Sequence, residues 1–125
     1  MPQENVDALK VVSDKVTFPI ATGERLLSRW EFREIFEKQA VSLIQPDGSH
    51  AGGISELKRI ANMAEVYFMH IMPHCAIGPV AFSACMQVDA VVPNFLIQEG
   101  GARTYENLLK VHLSYTHLRA NEKDS

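Results

Sequence analysis

Short apolar runs recur along the chain and are separated by longer, mixed stretches. The runs are "VTFPIA", "VSLIQ", "YFMHIM" and "NFLIQ", which begin at Val16, Val41, Tyr67 and Asn94. Their length and their β-branched and aromatic residues are typical of strands. Because apolar and polar residues do not alternate within them, the pattern predicts strands that are buried on both faces, as in a parallel sheet.

In the mixed stretches, apolar residues recur every three or four positions, which places them on one face of a helix. Helices are predicted in "NVDALKVVSDK", "WEFREIFEKQ", "ISELKRIANMAEVY" and "VAFSACMQVDAV". The last stretch is apolar almost all round, which predicts a helix packed on two sides. The residues predicted to line the inner helix faces are Val6, Leu9, Val12, Phe32, Ile35, Phe36, Ile54, Leu57, Ile60, Ala61 and Ala64.

The order of these elements repeats a βα unit, and a further helix is predicted at "TYENLLKV", residues 104–111. Parallel strands need such helical crossovers. The pattern therefore predicts an α/β fold with about four βα units and parallel strands, arranged as an open sheet or as part of a barrel.

One ionisable residue follows each predicted strand, next to a glycine or a proline turn. Glu24 follows "PIATG", Asp47 follows "LIQP", His74 follows "IMP" and Glu99 follows "LIQ". Sites in parallel α/β folds are built at the carboxyl ends of the strands. We therefore expect these four side chains to share one rim.

Composition narrows the possible partners and compartments. The chain has 125 residues and a net charge of −3, with scattered basic residues, which disfavours a nucleic-acid binder or a polybasic membrane patch. No apolar stretch approaches the ~20 residues of a membrane helix, and "MPQENVDALK" does not resemble a secretory signal. One cytoplasmic domain is expected, with Cys75 and Cys85 buried rather than bridged.

The stretch "HIMPHC" raises the question of a zinc site. His70 and His74 lie four residues apart, and Cys75 follows directly. On a helix this spacing would place both histidines on one face. Pro73 stands between them, however, and in a strand they would lie about 13 Å apart, too far to share an ion. The sequence therefore disfavours zinc.

His74 suits proton transfer, because an imidazole titrates near neutrality. Asp47, at the end of the preceding strand, could stand beside it and fix its tautomer. A histidine with a purely structural role is the alternative.

Glu24 and Glu99 could bind a hard cation such as Mg²⁺ or polarise a substrate. Solvated loop acids are the alternative, and Arg25 could pair with Glu24. The loop "GSHAGGI" could hold an anion at a helix start, with His50 nearby, or could be a tight strand-to-helix turn.

Four stretches, in order, carry a resemblance to a known family: "PIATGERLLSRWEF", "QPDGSHAGGISELKRIANMAE", "MPHCAIGPVAFSACMQVD" and "FLIQEG". They resemble the barrel domain of the enolase superfamily, in its mandelate racemase-like group, and in particular acid-sugar dehydratases of the galactonate dehydratase type. The resemblance implies the C-terminal half of a (β/α)8 TIM-type barrel in residues 1–112. It leaves an unrelated or disordered tail in residues 113–125.

The same resemblance implies a role for each rim residue. Glu24, in "TGER", would be a ligand of an essential Mg²⁺. Asp47 and His74 would form the dyad that removes the proton α to a carboxylate, and Glu99, in "IQEG", would hydrogen-bond that carboxylate. The implied substrate is a sugar acid that loses water to give a 2-keto-3-deoxy acid, and the implied parent enzyme is a homo-oligomer.

Several alternatives stay open beside this interpretation. A racemase or another sugar-acid dehydratase of the same superfamily would use the same residues. A non-enzymatic α/β module would instead bind an anion or a partner through "SHAGGI". The family's other metal carboxylates and its capping domain have no counterpart in these 125 residues, so the chain is expected to be inactive by itself.

Overall fold

The computed structural model of the protein describes residues 5–100. Helices and strands alternate through this range: α1 (Val6–Ser13), β1 (Ala21–Thr22), α2 (Arg29–Glu37), β2 (Leu43–Ile44), α3 (Ile54–Val66), β3 (His70–Ile71) and α4 (Pro79–Asp89). The helix predicted at residues 104–111 and the tail predicted at residues 113–125 lie outside the described residues.

The strands form one parallel sheet in the order β1-β2-β3. Residues 94–98, where a fourth strand was predicted, run beside β3 and join it through one parallel bridge between Ile71 and Phe95. There the N–H of Ile71 donates to the carbonyl of Asn94 at 2.9 Å. The prediction of an α/β fold with parallel strands is confirmed, with the fourth strand reduced to this bridge.

The two faces of the sheet differ in burial, since successive side chains of a strand point to opposite faces. The buried row consists of Thr22, Ile44 and Ile71, and the opposite row consists of Ala21, Leu43 and His70. In the opposite row, His70 is exposed and the other two are partly exposed. The prediction that both faces are buried is therefore wrong for residues 5–100, where only one face is fully covered.

Two strands begin later than their apolar runs predicted. β1 starts at Ala21 rather than at Val16, and Pro19, which has no N–H to donate to a ladder, lies in the segment before it. β3 starts at His70 rather than at Tyr67, because α3 continues to Val66. The apolar residues of these runs thus belong partly to neighbouring elements.

The core lies between the buried sheet face and the helices. Phe32, Ile35 and Phe36 of α2 are fully buried, as predicted. The ring of Phe36 stacks on Phe32 at 5.9 Å and on Tyr67 at 5.8 Å between centroids. Aromatic burial of this kind contributes much of the stability of a small domain.

Three predictions about helix faces are wrong. Val12 and Ile54 are 41% and 48% exposed, because each lies at the edge of the apolar stripe of its helix. α4 buries Cys85 on one side, whereas Val80 and Met86 on its other side are 83% and 50% exposed. Within the described part of the chain, α4 is thus packed on one side only.

The helices are short. Across residues 5–100, none is both long enough and apolar enough to cross a membrane.

Candidate active site

The register of the sheet brings two of the predicted residues together. The offset that pairs Leu43 with His70 continues past both strands to a parallel bridge between Asp47 and His74. The N–H of His74 donates to the carbonyl of Pro46 at 3.1 Å, which holds the two segments side by side. The carboxyl ends of β2 and β3 therefore place the aspartate next to the histidine, as the sequence predicted.

The side chains of this pair form a closed hydrogen-bonded unit. The Nδ1 of His74 lies 2.8 Å from Oδ2 of Asp47. The other carboxylate oxygen, Oδ1, accepts the backbone N–H groups of Ser49 at 2.7 Å and His50 at 3.2 Å. Asp47 is only 1% exposed, so its orientation is fixed by these partners rather than by water.

The pKa of Asp47 is lowered from its ordinary value of 3.8. Burial acts in the opposite direction, because it disfavours the charged form. The hydrogen bond from His74 and those from the N–H groups of Ser49 and His50 together outweigh it. Asp47 is therefore a carboxylate at neutral pH and can accept the N–H of the imidazole.

The lowered pKa of Asp47 predicts a loss of stability in acid. A group whose folded pKa lies below its unfolded pKa stabilises the fold above the unfolded value, here 3.8, and this contribution disappears as the pH falls through the folded pKa. We expect the urea-unfolding free energy of the 125-residue chain to drop below about pH 4. Asp47→Asn should reduce that drop. If the unfolding free energy of Asp47→Asn fell as steeply in acid as that of the parent chain, the lowered pKa of Asp47 would be contradicted.

Asp89, at the end of α4, is a matched control, because its pKa is shifted in the opposite direction and its effect on stability therefore depends on pH with the opposite sign. Burial raises its pKa to about 6, and within residues 5–100 its Oδ1 has no hydrogen-bond partner. Folding thus favours the protonated acid, so its contribution to stability falls as the pH rises from about 4 to about 6. Asp89→Asn should be more stable than the parent chain at pH 7. It should still lose unfolding free energy in acid, because Asp47 is unchanged.

Glu24 extends the site on the other side of the histidine. Its Oε2 lies 3.3 Å from Nε2 of His74, and its side chain is 54% exposed. The preceding Gly23 has a φ of 132°, and a Cβ there would lie 2.7 Å from the ring of Phe32. This turn therefore requires glycine, both for its backbone conformation and because the ring of Phe32 fills the space of a side chain.

Glu99 lies on the far side of β3, and its side chain is exposed. Its N–H donates to the carbonyl of Pro73 at 3.3 Å, and its Oε2 accepts a hydrogen bond from Nε2 of Gln45 at 3.2 Å. All four predicted residues thus lie at the carboxyl ends of neighbouring segments, with direct contacts joining Glu24, His74 and Asp47.

Sequence reasoning did not select Gln45 and gave His50 only a minor place. Gln45 stands two residues before Asp47, and the alternation of side chains along a strand would have placed both on one face. The Nδ1 of His50 lies 3.9 Å from Oδ2 of Asp47, and the imidazole is about half exposed. The loop that begins at Gly48 therefore brings a second histidine to the same carboxylate.

The described residues do not form a complete metal site. No group of three or more His, Cys, Asp or Glu side chains in residues 5–100 is arranged to hold an ion. Among the rim acids, Asp47 is already hydrogen-bonded on both oxygens, and Glu99 lies beyond β3, at the opposite edge of the sheet from Glu24. The exposed Glu24 is therefore the candidate ligand for Mg²⁺ on its side of the rim. One carboxylate does not by itself fill the six positions that this ion prefers.

The cysteines are buried and unbridged, as predicted. Burial raises the pKa of the Cys85 thiol to about 12, which keeps it protonated and unreactive at neutral pH.

Comparison with known proteins gives one family and many relatives. The family described as "Enolase C-terminal domain-like" matches residues 1–120. A protein of Variovorax paradoxus named D-galactonate dehydratase is 51% identical over 83 residues, 66% of this chain and 22% of that protein. A protein of the same name from Ralstonia nicotianae is 38% identical over 118 residues, 94% of this chain and 31% of that protein.

Solved structures agree with the sequence matches. An enolase of Agrobacterium radiobacter, crystallised with bound sodium and L-malate, is 38% identical and superposes with a TM-score of 0.77. The match covers 81% of this chain and 26% of that one. The chain thus spans only 22% to 31% of the length of these relatives. Together with the parallel sheet, the matches confirm the predicted fold, an α/β domain that is part of an enolase-type barrel.

Proposed function

Because this chain belongs to the enolase C-terminal domain-like family, we propose that it is the part of a Mg²⁺-dependent acid-sugar dehydratase that moves the proton α to the substrate carboxylate. The observation that carries the proposal is the 2.8 Å contact between Nδ1 of His74 and Oδ2 of Asp47. It lies at the carboxyl ends of two adjacent parallel strands, beside Glu24 and Glu99. The relatives named D-galactonate dehydratase suggest galactonate as the substrate.

His74 is the proposed base. Its Nδ1–H donates to the ionised Asp47, which leaves Nε2 as the atom that accepts the substrate proton. Since Nε2 lies 3.3 Å from Oε2 of Glu24, that glutamate must move aside before a substrate can approach. Asp47 then offsets the positive charge of the imidazolium and keeps the ring in its orientation.

Loss of the α-proton leaves its electron pair on the α-carbon, from which it spreads into the carboxylate as an enediolate. Glu99 in its protonated form is proposed to donate a hydrogen bond to that carboxylate. The pair then forms a double bond to the β-carbon as the bond from that carbon to its hydroxyl oxygen breaks, and the hydroxyl takes the proton that His74 removed and departs as water. The resulting enol tautomerises to the 2-keto-3-deoxy acid, so atoms and electrons balance without an oxidant or a reductant.

A bound Mg²⁺ would neutralise charge on the substrate carboxylate as the enediolate forms. We propose that Glu24 contributes one ligand to this ion. Its other ligands would come from outside residues 5–100, since no group of three or more His, Cys, Asp or Glu side chains in that range is arranged to hold an ion.

A chimera tests the proposal, because this chain spans about a third of the Ralstonia nicotianae relative. The matching segment of that relative is replaced by the present sequence, and dehydration is followed by formation of the 2-keto acid. We expect the folded chimera to dehydrate galactonate, to lose activity with EDTA and to regain it with Mg²⁺. The unmodified relative is the positive control.

The 125-residue chain assayed alone is the negative control, and we expect no dehydration from it, because its described residues contain no group of three or more side chains arranged to hold the metal ion. A folded chimera that is inactive on galactonate and on a panel of other sugar acids would overturn the proposal. Racemisation without loss of water would assign the same dyad to a racemase. A folded but inactive chimera, together with a 125-residue chain that melts cooperatively as a monomer, would favour the non-enzymatic module.

A further inference from the structure

A side-chain contact across β3 joins Glu99 to a residue with no role in the mechanism above. Gln45 follows β2, whereas Glu99 lies in residues 94–99 on the opposite side of β3. The Nε2 of Gln45 donates to Oε2 of Glu99 at 3.2 Å. Two segments that are not neighbours in the sheet are thus linked at the rim.

The backbone fixes both ends of this link. The N–H of Gln45 donates to the carbonyl of Thr22 at 2.7 Å. The N–H of Glu99 and the side chain of Gln98 both donate to the carbonyl of Pro73, at 3.3 Å and 2.9 Å. Gln45 is partly buried and Glu99 is exposed, so the glutamine is the better-held partner. Without it, the glutamate side chain would regain rotamer freedom.

We propose that Gln45 is a positioning residue for Glu99, which rests on the function proposed above for that acid. An amide nitrogen only donates, so Oε2 of Glu99 must act as the acceptor in this contact. In a protonated Glu99 the proton then sits on Oε1, the oxygen left for the substrate carboxylate. Gln45 thereby selects which oxygen donates and holds it in place.

Gln45 also ties the acid to the strand that carries the base. It stands two residues before Asp47, on the same face of the extended chain. The orientation of Glu99 and that of the Asp47–His74 pair therefore both depend on one short segment of backbone. This shared segment keeps the distance and orientation between the acid and the base constant, which a reactive substrate geometry requires.

The contact is tested first in the 125-residue chain by NMR of the glutamine side-chain amides. We expect the Gln45 amide to resonate away from its free position and to return there in Glu99→Ala. Gln87, exposed on α4, is the control and should keep its position in both proteins. A Gln45 amide that does not respond to Glu99→Ala would overturn the proposal.

The role is tested in the chimera by Gln45→Leu, which keeps a similar size and removes the donor. We expect kcat to fall by up to about 100-fold with a smaller change in KM, because a misplaced acid affects the enediolate more than the bound substrate. Gln87→Leu should match the parent chimera. An unchanged kcat in Gln45→Leu would overturn the positioning role.

The two tests separate this inference from the function on which it rests. An active chimera in which Gln45→Leu has no effect refutes the role of Gln45 and leaves the dehydratase proposal standing. A folded chimera without any activity refutes the dehydratase proposal, and the role of Gln45 falls with it.

Discussion

Replacing His74 with glutamine in the chimera is expected to abolish exchange of the galactonate α-proton and to lower kcat by about 10²–10⁴-fold, the usual contribution of a positioned general base. The reason is that Nε2 of His74 is the proposed acceptor, and its partner Asp47 is buried and already bound to two backbone N–H groups. Exchange is measured in D₂O by the loss of the α-proton signal, which reports the first step without requiring elimination.

His70→Gln is the matched control for this prediction. His70 begins β3, four residues before His74, is exposed, and stands at the opposite end of β3 from the rim. It should leave exchange and kcat unchanged. If His74→Gln kept normal exchange, or if His70→Gln lost as much activity, the proposed base would be wrong.

The largest effect on stability is expected at Phe36. Its ring is fully buried and stacks on both Phe32 and Tyr67. Truncation of a buried aromatic residue to alanine costs about 3–5 kcal/mol, while a whole domain is typically stable by only about 5–15 kcal/mol. We therefore expect Phe36→Ala to lower the unfolding free energy of the 125-residue chain by about 3–5 kcal/mol, a large share of its stability, as measured by urea denaturation followed by circular dichroism.

Phe18→Ala provides the comparison, because this phenylalanine is 63% exposed. Its effect on the unfolding free energy should stay within about 0.5 kcal/mol, as for most surface substitutions. Equal costs at the two positions would mean that the stacked rings do not form the centre of the core.

The sequence predicted the structure best where the periodicity of apolar residues and the parallel topology both determine the position of a residue. Asp47 and His74 each end an apolar run next to a proline, and parallel pairing of those runs places them together. The burial of Phe32, Ile35 and Phe36 likewise follows from their spacing on one helix. In these places the periodicity and the topology lead to the same geometry.

The sequence was less informative where two elements compete for the same apolar residues. Residues 67–69 have the composition of a strand, yet Tyr67 is the C-cap of α3 and Phe68 adopts a φ of 58°. Composition alone does not show that the N–H of Met69 bonds back to Ala64 and closes the helix. The contact between Gln45 and Glu99 was also missed, because it spans an intervening strand and depends on side-chain reach.

The constant offset between β2 and β3 has a consequence for how the chain tolerates changes in its length. Extra residues beside the exposed Phe68, in the turn between α3 and β3, would lengthen a surface loop and leave the pairing of the dyad untouched. One residue added between Ile44 and Asp47 would turn the aspartate to the other side of the sheet, away from its histidine. Insertions and deletions among natural or engineered variants should therefore accumulate in the turn between α3 and β3 and be absent from residues 44–47.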